Sequence, residues 1–171
     1  MPLEIIRNDI TKMKVDAVVN AANTALRMGG GVCGAIFRAA GAAELQAACD
    51  KIGHCPTGQA VITDGFNLPA KCIVHTAGPI YKDGQHGEAE LLRSCYINSL
   101  TLARQNSCES IAFPLISSGI YGYPKDEALA IATSAIKDFL VRNDMTVYLV
   151  VFDKATVELS KNALKTENKE E

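Results

Sequence analysis

Apolar positions along the chain follow two periods, and together these predict strands alternating with helices. Leu3-Glu4-Ile5-Ile6-Arg7 alternates as an opening strand, which Asn8-Asp9-Ile10-Thr11 turns. Val15 to Asn20 is apolar without alternation, the pattern of a strand covered on both faces. Gln59 to Thr63 and Lys71 to Thr76 predict two more strands, with the turn residues Asn67-Leu68-Pro69 between them. Ser110 to Leu115 and the run Val147 to Phe152 predict the last two. Helical segments fall between: Val32 to Ala40, then Ala42 to Ile52 with Gly53 as a C-terminal stop. Glu90 to Arg104 carries Leu91, Leu92, Cys95, Tyr96, Leu100 and Ala103 on one wide apolar face. Pro124 opens a long helix with Asp126 and Glu127 in its first turn, and Ala155 to Leu164 predicts a closing helix. Tyr81 to Glu88, YKDGQHGE, is the most loop-like interior stretch and is expected to form a mobile rim.

This order predicts an α/β fold, a three-layer α/β/α sandwich with a mixed, largely parallel sheet. Residues 1–165 are expected to form one domain and 166–171 a charged C-terminal tail. In such sheets ligands sit beyond the carboxyl ends of the strands. Two glycine-bearing loops are expected to meet there. One is NAANTALRMGGG, which runs from the second strand into the helix opening at Val32; the other is Ile116 to Tyr123. Glycines at a helix start let backbone N–H groups approach a ligand closely, and the helix N-terminus favours anions. A phosphate-bearing ligand held by main chain follows, with Asn23 nearby for hydroxyl groups.

Composition narrows the partners. Net charge is −2 with a pI near 5.9, so no nucleic-acid partner is expected. No apolar run is long enough to cross a membrane, and a cytoplasmic monomer is expected. The six cysteines are spread along the chain without a C-x-x-C pair, so neither a disulfide framework nor a metal site is expected. His75 lies in an apolar run and reads as a satisfied histidine near a strand end, not a base. Gly29-x-Gly31-x-x-Gly34 matches the dinucleotide fingerprint formally, but eight residues separate it from Asn20. A Rossmann turn places its first glycine at the strand end, so nicotinamide chemistry fits poorly. There is no G-x-x-x-x-G-K-[ST] loop and no G-x-S-x-G elbow.

Several segments in fixed order carry a resemblance: Asn8 to Thr11, VDAVVNAANTAL, GGGVCGAIFRAAG, Cys55 to Gly58, HTAGP, Leu92 to Leu100 and Ile116 to Pro124. On these the sequence resembles the macrodomain family, and its MacroD-type branch in particular. The resemblance implies an ADP-ribose ligand, either free or on a modified protein, and no metal or organic cofactor. It implies that Asp9 and the Ile10 backbone meet adenine, with Phe152 as an apolar contact to the same ring. Asn20, Ala22 and Asn23 would line the cleft, Asn23 bonding a distal ribose hydroxyl. Gly30, Gly31 and Val32 would wrap that ribose and its phosphate, and Ser117, Ser118, Gly119, Ile120 and Tyr121 would form the other wall. The implied activity is hydrolysis of mono-ADP-ribose from acidic side chains, or deacetylation of O-acetyl-ADP-ribose. The alternative is a non-catalytic ADP-ribose reader.

One departure bears on that choice. MacroD-type hydrolases usually carry an aspartate after GGGV and a histidine four residues later, where this chain has Cys33 and Phe37. Asn23 and Cys33 are the catalytic candidates that remain. A first-turn thiol is shifted toward thiolate by the helix dipole, whereas a neighbouring diphosphate opposes that charge. Cys33 therefore reads either as a substitute anion or as a neutral lining residue.

Overall fold

The computed structural model describes residues 2–152 and 155–159. Six strands form one sheet in the order β1-β6-β5-β2-β4-β3. They are β1 Leu3–Arg7, β2 Ala17–Ala22, β3 Ala60–Asp64, β4 Cys72–Ala77, β5 Ser110–Pro114 and β6 Thr146–Val151. All neighbouring pairs are parallel except β3 with β4, which is the antiparallel edge. Among the described residues, the helices α1 Gly31–Ala40, α2 Ala42–Ile52, α3 Glu88–Gln105 and α4 Lys125–Leu140 cover the sheet.

The two faces follow from the two-residue repeat of the strands. Ala17 and Val19 of β2 point into the core under α3 and α4, with Leu92, Tyr96, Leu100, Leu129 and Ile136. Val18 and Ala22 point the other way, into the core under α1 and α2, with Ile36, Phe37, Leu45 and Cys49. A sheet buried on both sides cannot show polar alternation in its central strands, hence the unbroken apolar runs. The architecture is the three-layer α/β/α sandwich that the element order predicts. Among the described residues, no helix is long and apolar enough to cross a membrane.

Several boundaries move. Strand β2 runs two residues past Asn20, because Asn20, Ala21 and Ala22 continue the parallel ladder against His75, Thr76 and Ala77. Phe152 stands one residue beyond β6, with 63% of its surface exposed. Helix α3 begins at Glu88, two residues before the apolar periodicity starts. Residues 155–159 are helical, while the rest of the expected closing helix and the tail 166–171 lie outside the described residues.

The 81–88 loop, expected as a mobile rim, is hydrogen-bonded around one carboxylate. Glu88 is 2% exposed and its carboxylate accepts from the backbone N–H groups of Lys82, Asp83, Gly84 and His86. The Lys82 N–H, followed by the others, holds the Glu88 carboxyl down at about 2, against the opposing effect of burial. One buried charge thus organises the whole loop by charge-assisted hydrogen bonds. The Tyr81 ring also packs on Tyr123 at 4.9 Å, and the Tyr81 N–H donates to the Tyr121 carbonyl at 2.9 Å. Asp83, His86 and Glu88 lie close enough together to suggest a metal cluster. Both Glu88 oxygens are committed to N–H donors, so the group is a loop anchor.

Candidate functional site

A cleft of about 450 Å³ opens at the carboxyl ends of β2, β5 and β6. One wall is the chain from Ala21 to Asn23 and the Gly29–Cys33 stretch; the other is the loop from Pro114 to Tyr121. Phe152 and Lys125 also line it. Lys125 is the one charged side chain among the described residues lining this cleft.

Local geometry explains how the first wall holds its shape. The Asn23 carboxamide bridges the turn, donating to the Arg27 carbonyl at 2.8 Å and accepting from the Arg27 N–H at 3.0 Å. One Nδ2 hydrogen and one Oδ1 lone pair remain for a ligand. Gly34, the last glycine of the sequence match, explains the tight packing: a Cβ there would sit 2.5 Å from the Gly29 carbonyl oxygen. The glycine turn therefore lies directly on α1. Gly30 is the N-cap of α1 and offers no side chain to cap it. The first N–H groups of the helix are left facing the cleft, where the helix dipole favours an anion.

The second wall is equally constrained. Tyr96, fully buried in α3, donates its hydroxyl to the Pro114 carbonyl at 3.4 Å and accepts from the Ile116 N–H at 3.0 Å. Ser117 adopts a left-handed backbone conformation (φ 67°), and its hydroxyl donates to the Pro79 carbonyl at 2.8 Å. Any side chain at Gly78 would collide with that hydroxyl. A non-glycine residue held at positive φ costs about 1–3 kcal/mol, and here it turns the following loop into the cleft. Ser118 donates its hydroxyl to the Leu115 carbonyl at 2.8 Å. Among the described residues, nothing accepts from the N–H groups of Gly119, Ile120 or Tyr121. Residues carrying both sets of backbone donors line the one cleft.

Cys33 is 7% exposed and sits behind the glycine turn. Its sulfur is 3.8 Å from the Arg27 carbonyl oxygen, to which the S–H donates, and 3.7 Å from Asn20 Nδ2, which donates to it. The sulfur therefore sits between an amide N–H donor and a backbone carbonyl acceptor. Phe37 is 1% exposed and packs in the core under α1 and α2, away from the cleft.

Behind Cys33 runs a buried polar chain. Thr63 donates its hydroxyl to the Asp64 carbonyl at 3.2 Å, so it accepts from His75 Nε2–H at 2.9 Å. His75 Nδ1 then accepts from Asn20 Nδ2 at 3.0 Å, which assigns the Nε2–H tautomer. His75 is fully buried, and burial lowers its pKa to about 4. It is a neutral structural histidine.

Of the residues singled out in the sequence, the cleft brings together Ala22, Asn23, Gly30, Gly31, Val32, Cys33, Ser117, Ser118, Gly119, Ile120, Tyr121 and Phe152. Asp9, Ile10 and Asn20 are not among its lining. Asp9 caps the short 3-10 turn Ile10–Lys12 by accepting from the Thr11 N–H at 3.0 Å and the Thr11 hydroxyl at 2.6 Å. Ile10 is 2% exposed in the core, and Asn20 is held behind Cys33. Lys125 was not singled out. Its one signal is a cation in the first turn of a helix, against the dipole.

The sequence model of the family described as Macro domain matches residues 19–132. An O-acetyl-ADP-ribose deacetylase of Escherichia fergusonii is 48% identical over 163 residues, covering 92% of this chain and 92% of that protein. Among solved structures, an Oceanobacillus iheyensis macrodomain with ADP superposes with a TM-score of 0.93 at 43% identity. That alignment covers 99% of this chain and 93% of the other. A Trypanosoma brucei macrodomain in complex with ADP-ribose superposes with a TM-score of 0.85 at 36% identity, covering 95% of this chain and 68% of that one.

Proposed function

Because the chain belongs to the Macro domain family, we propose that its cleft binds ADP-ribose and that the protein is an ADP-ribosyl ester hydrolase. Its substrates in this reading are mono-ADP-ribose on acidic side chains, O-acetyl-ADP-ribose, or both. The observation that carries the reading is that both sets of donors belong to one cleft. The residues at the uncapped N-terminus of α1 line it together with Gly119 to Tyr121, whose N–H groups are unpaired among the described residues. A diphosphate between them would be held by dipoles, which suits an acidic chain. Asn23, Gly30, Gly31 and Val32 would then meet the distal ribose, with Tyr121 packing on its far side. Phe152 offers an apolar ring for the base.

The described lining of the cleft contains no carboxylate and no imidazole. With neither group in that lining, the protein would supply position and not a carboxylate or imidazole base. The attacking water would be ordered by the substrate's own phosphate, with attack at the ester carbonyl or at the anomeric carbon. Orientation of reacting groups can lower a barrier greatly without a protein base. The same lining favours a second reading, a domain that binds ADP-ribose without cleaving it. ADP-ribose binding is tested by calorimetry on the wild type and Gly31→Glu. Binding by the wild type, lost when a carboxylate faces the anion site, is expected; equal behaviour of the two would overturn the reading.

A further inference from the structure

Away from the cleft, Cys72 and Cys108 make the one thiol–thiol contact among the described residues, with sulfurs 3.7 Å apart and 36 positions apart in sequence. We propose that this pair is an oxidative modification site, a dithiol that a hydroperoxide closes into an intramolecular disulfide.

The placement supports this. Cys72 is the first residue of β4, and Cys108 lies in the short turn between α3 and β5. Strand β2 runs between β4 and β5. The β2 residue opposite Cys72 is Ala17, and Cys72 packs against the same apolar cluster that holds Ala17 and Cys108. A disulfide requires the sulfurs to close to about 2.05 Å. Cys72 is fixed by pairing with Ala17 and Asp64, so most of the movement falls to Cys108 in its turn. Cys72 is half-buried and Cys108 is 9% exposed, so a small oxidant reaches the pair.

The other four cysteines are placed differently. Cys49, Cys55 and Cys95 are fully buried, the last donating to the Ala77 carbonyl at 3.3 Å. Cys33 donates to Arg27.

Burial, then the neighbouring Cys108, pushes Cys72 up to about 12, and Asp16 and Asp64 add to this. Burial also raises Cys108, but its bond from Cys72 and the Lys71 cation oppose the rise. Cys108 lies in a turn while Cys72 is held in the ladder on both sides, so Cys108 is taken as the attacking sulfur. Its thiolate attacks the peroxide oxygen, giving a sulfenic acid and releasing water or an alcohol. Cys72 then attacks that sulfur, the S–O bond breaks, and a second water leaves. In sum, two thiols and one hydroperoxide give one disulfide and either two waters, or one water and one alcohol. Both raised thiols keep the pair reduced until such an oxidant arrives, and the reaction quickens with rising pH.

The bond would tie the start of β4 to the turn before β5, at the end of the sheet opposite the cleft. It would raise Tm by several degrees and leave ligand affinity unchanged.

The test treats the wild-type protein with hydrogen peroxide, blocks residual thiols by alkylation, and maps disulfide-linked peptides by mass spectrometry. A loss of two hydrogens with Cys72 linked to Cys108, reversed by dithiothreitol, is expected. Cys72→Ser should instead leave Cys108 as a sulfenic or higher oxide. Linkage of any other pair would overturn the proposal. So would oxygen addition at Cys33 while Cys72 and Cys108 remain open to alkylation. The wild-type map decides even if Cys72→Ser does not fold.

Discussion

The Asn20 carboxamide nitrogen lies 3.7 Å from the Cys33 sulfur and gives its other hydrogen to His75 Nδ1 at 3.0 Å. One side chain therefore ties the cleft wall to the sheet core. It also fixes Cys33 as an acceptor from Asn20 and a donor to Arg27.

That geometry makes a prediction for Cys33 itself. Cys33→Ser keeps a small polar side chain at this position and is expected to leave turnover, and its pH dependence, within about twofold of wild type. Cys33→Asp adds a carboxylate beside the glycine turn. Since a positioned base contributes roughly two to four orders of magnitude, this variant should hydrolyse at least ~10-fold faster. Steady-state rates on O-acetyl-ADP-ribose across pH 5 to 9 check both. A collapse of activity in Cys33→Ser would make the sulfur a participant.

Gly34→Ala should separate the turn from its helix. The added methyl meets the Gly29 carbonyl oxygen at 2.5 Å, which backbone can relieve only by moving. Overpacking of this kind costs about 1–3 kcal/mol. The expected result is a lower Tm together with ADP-ribose affinity weakened roughly tenfold, read by thermal melts and calorimetry. Unchanged affinity would mean that the turn does not shape the site.

Lys125 is the one charged side chain among the described lining residues of a cleft assigned to a dianion. Lys125→Ala should weaken ADP-ribose binding by a factor of roughly three to ten and flatten its salt dependence, as expected for an exposed charge. Titrations at low and high salt test this. Identical salt slopes for the two proteins would remove Lys125 from the account.

Acid should destabilise the fold in two windows. His75 has a folded pKa lowered to about 4 from 6.5, so the unfolded chain takes up its proton first. Its stabilising contribution is full above 6.5 and is lost as pH falls toward 4. Glu88 has a folded pKa lowered to about 2 from 4.5, so its contribution is full above 4.5 and is lost as pH falls toward 2. Melting temperatures measured from pH 7 to 2 should fall in both windows. Glu88→Gln should shrink the lower drop but not abolish it, because hydrogen-bond donors also hold the Asp9, Asp16 and Asp83 carboxyls down. A single drop in the wild type would contradict the assignment of the two windows to these two groups.

Much of the fold was legible because strands buried on both faces must be apolar throughout, as at Val147 to Val151, while helices show wide stripes, as at Leu92, Cys95, Tyr96 and Leu100. Ends were less legible. Asn20 reads as a strand stop, yet its carboxamide nitrogen donates to His75 across the ladder, and the strand continues. The loop from Tyr81 reads as mobile because its residues are polar. Its order comes from one carboxylate, Glu88, whose partners are backbone N–H groups that leave no mark in composition. Most of the cleft could be anticipated from two glycine-bearing loops. Lys125 and the Cys72–Cys108 contact could not, since each depends on strands that meet only in the folded sheet.

The most direct test of the central claim uses a protein mono-ADP-ribosylated on glutamate. Free ADP-ribose is followed over time with wild type, Asn23→Ala and Gly31→Glu. Release by the wild type, and not by the two variants, is the predicted result. No release, with ADP-ribose still raising Tm, would contradict hydrolysis and leave a reader of ADP-ribose with a thiol at Cys33.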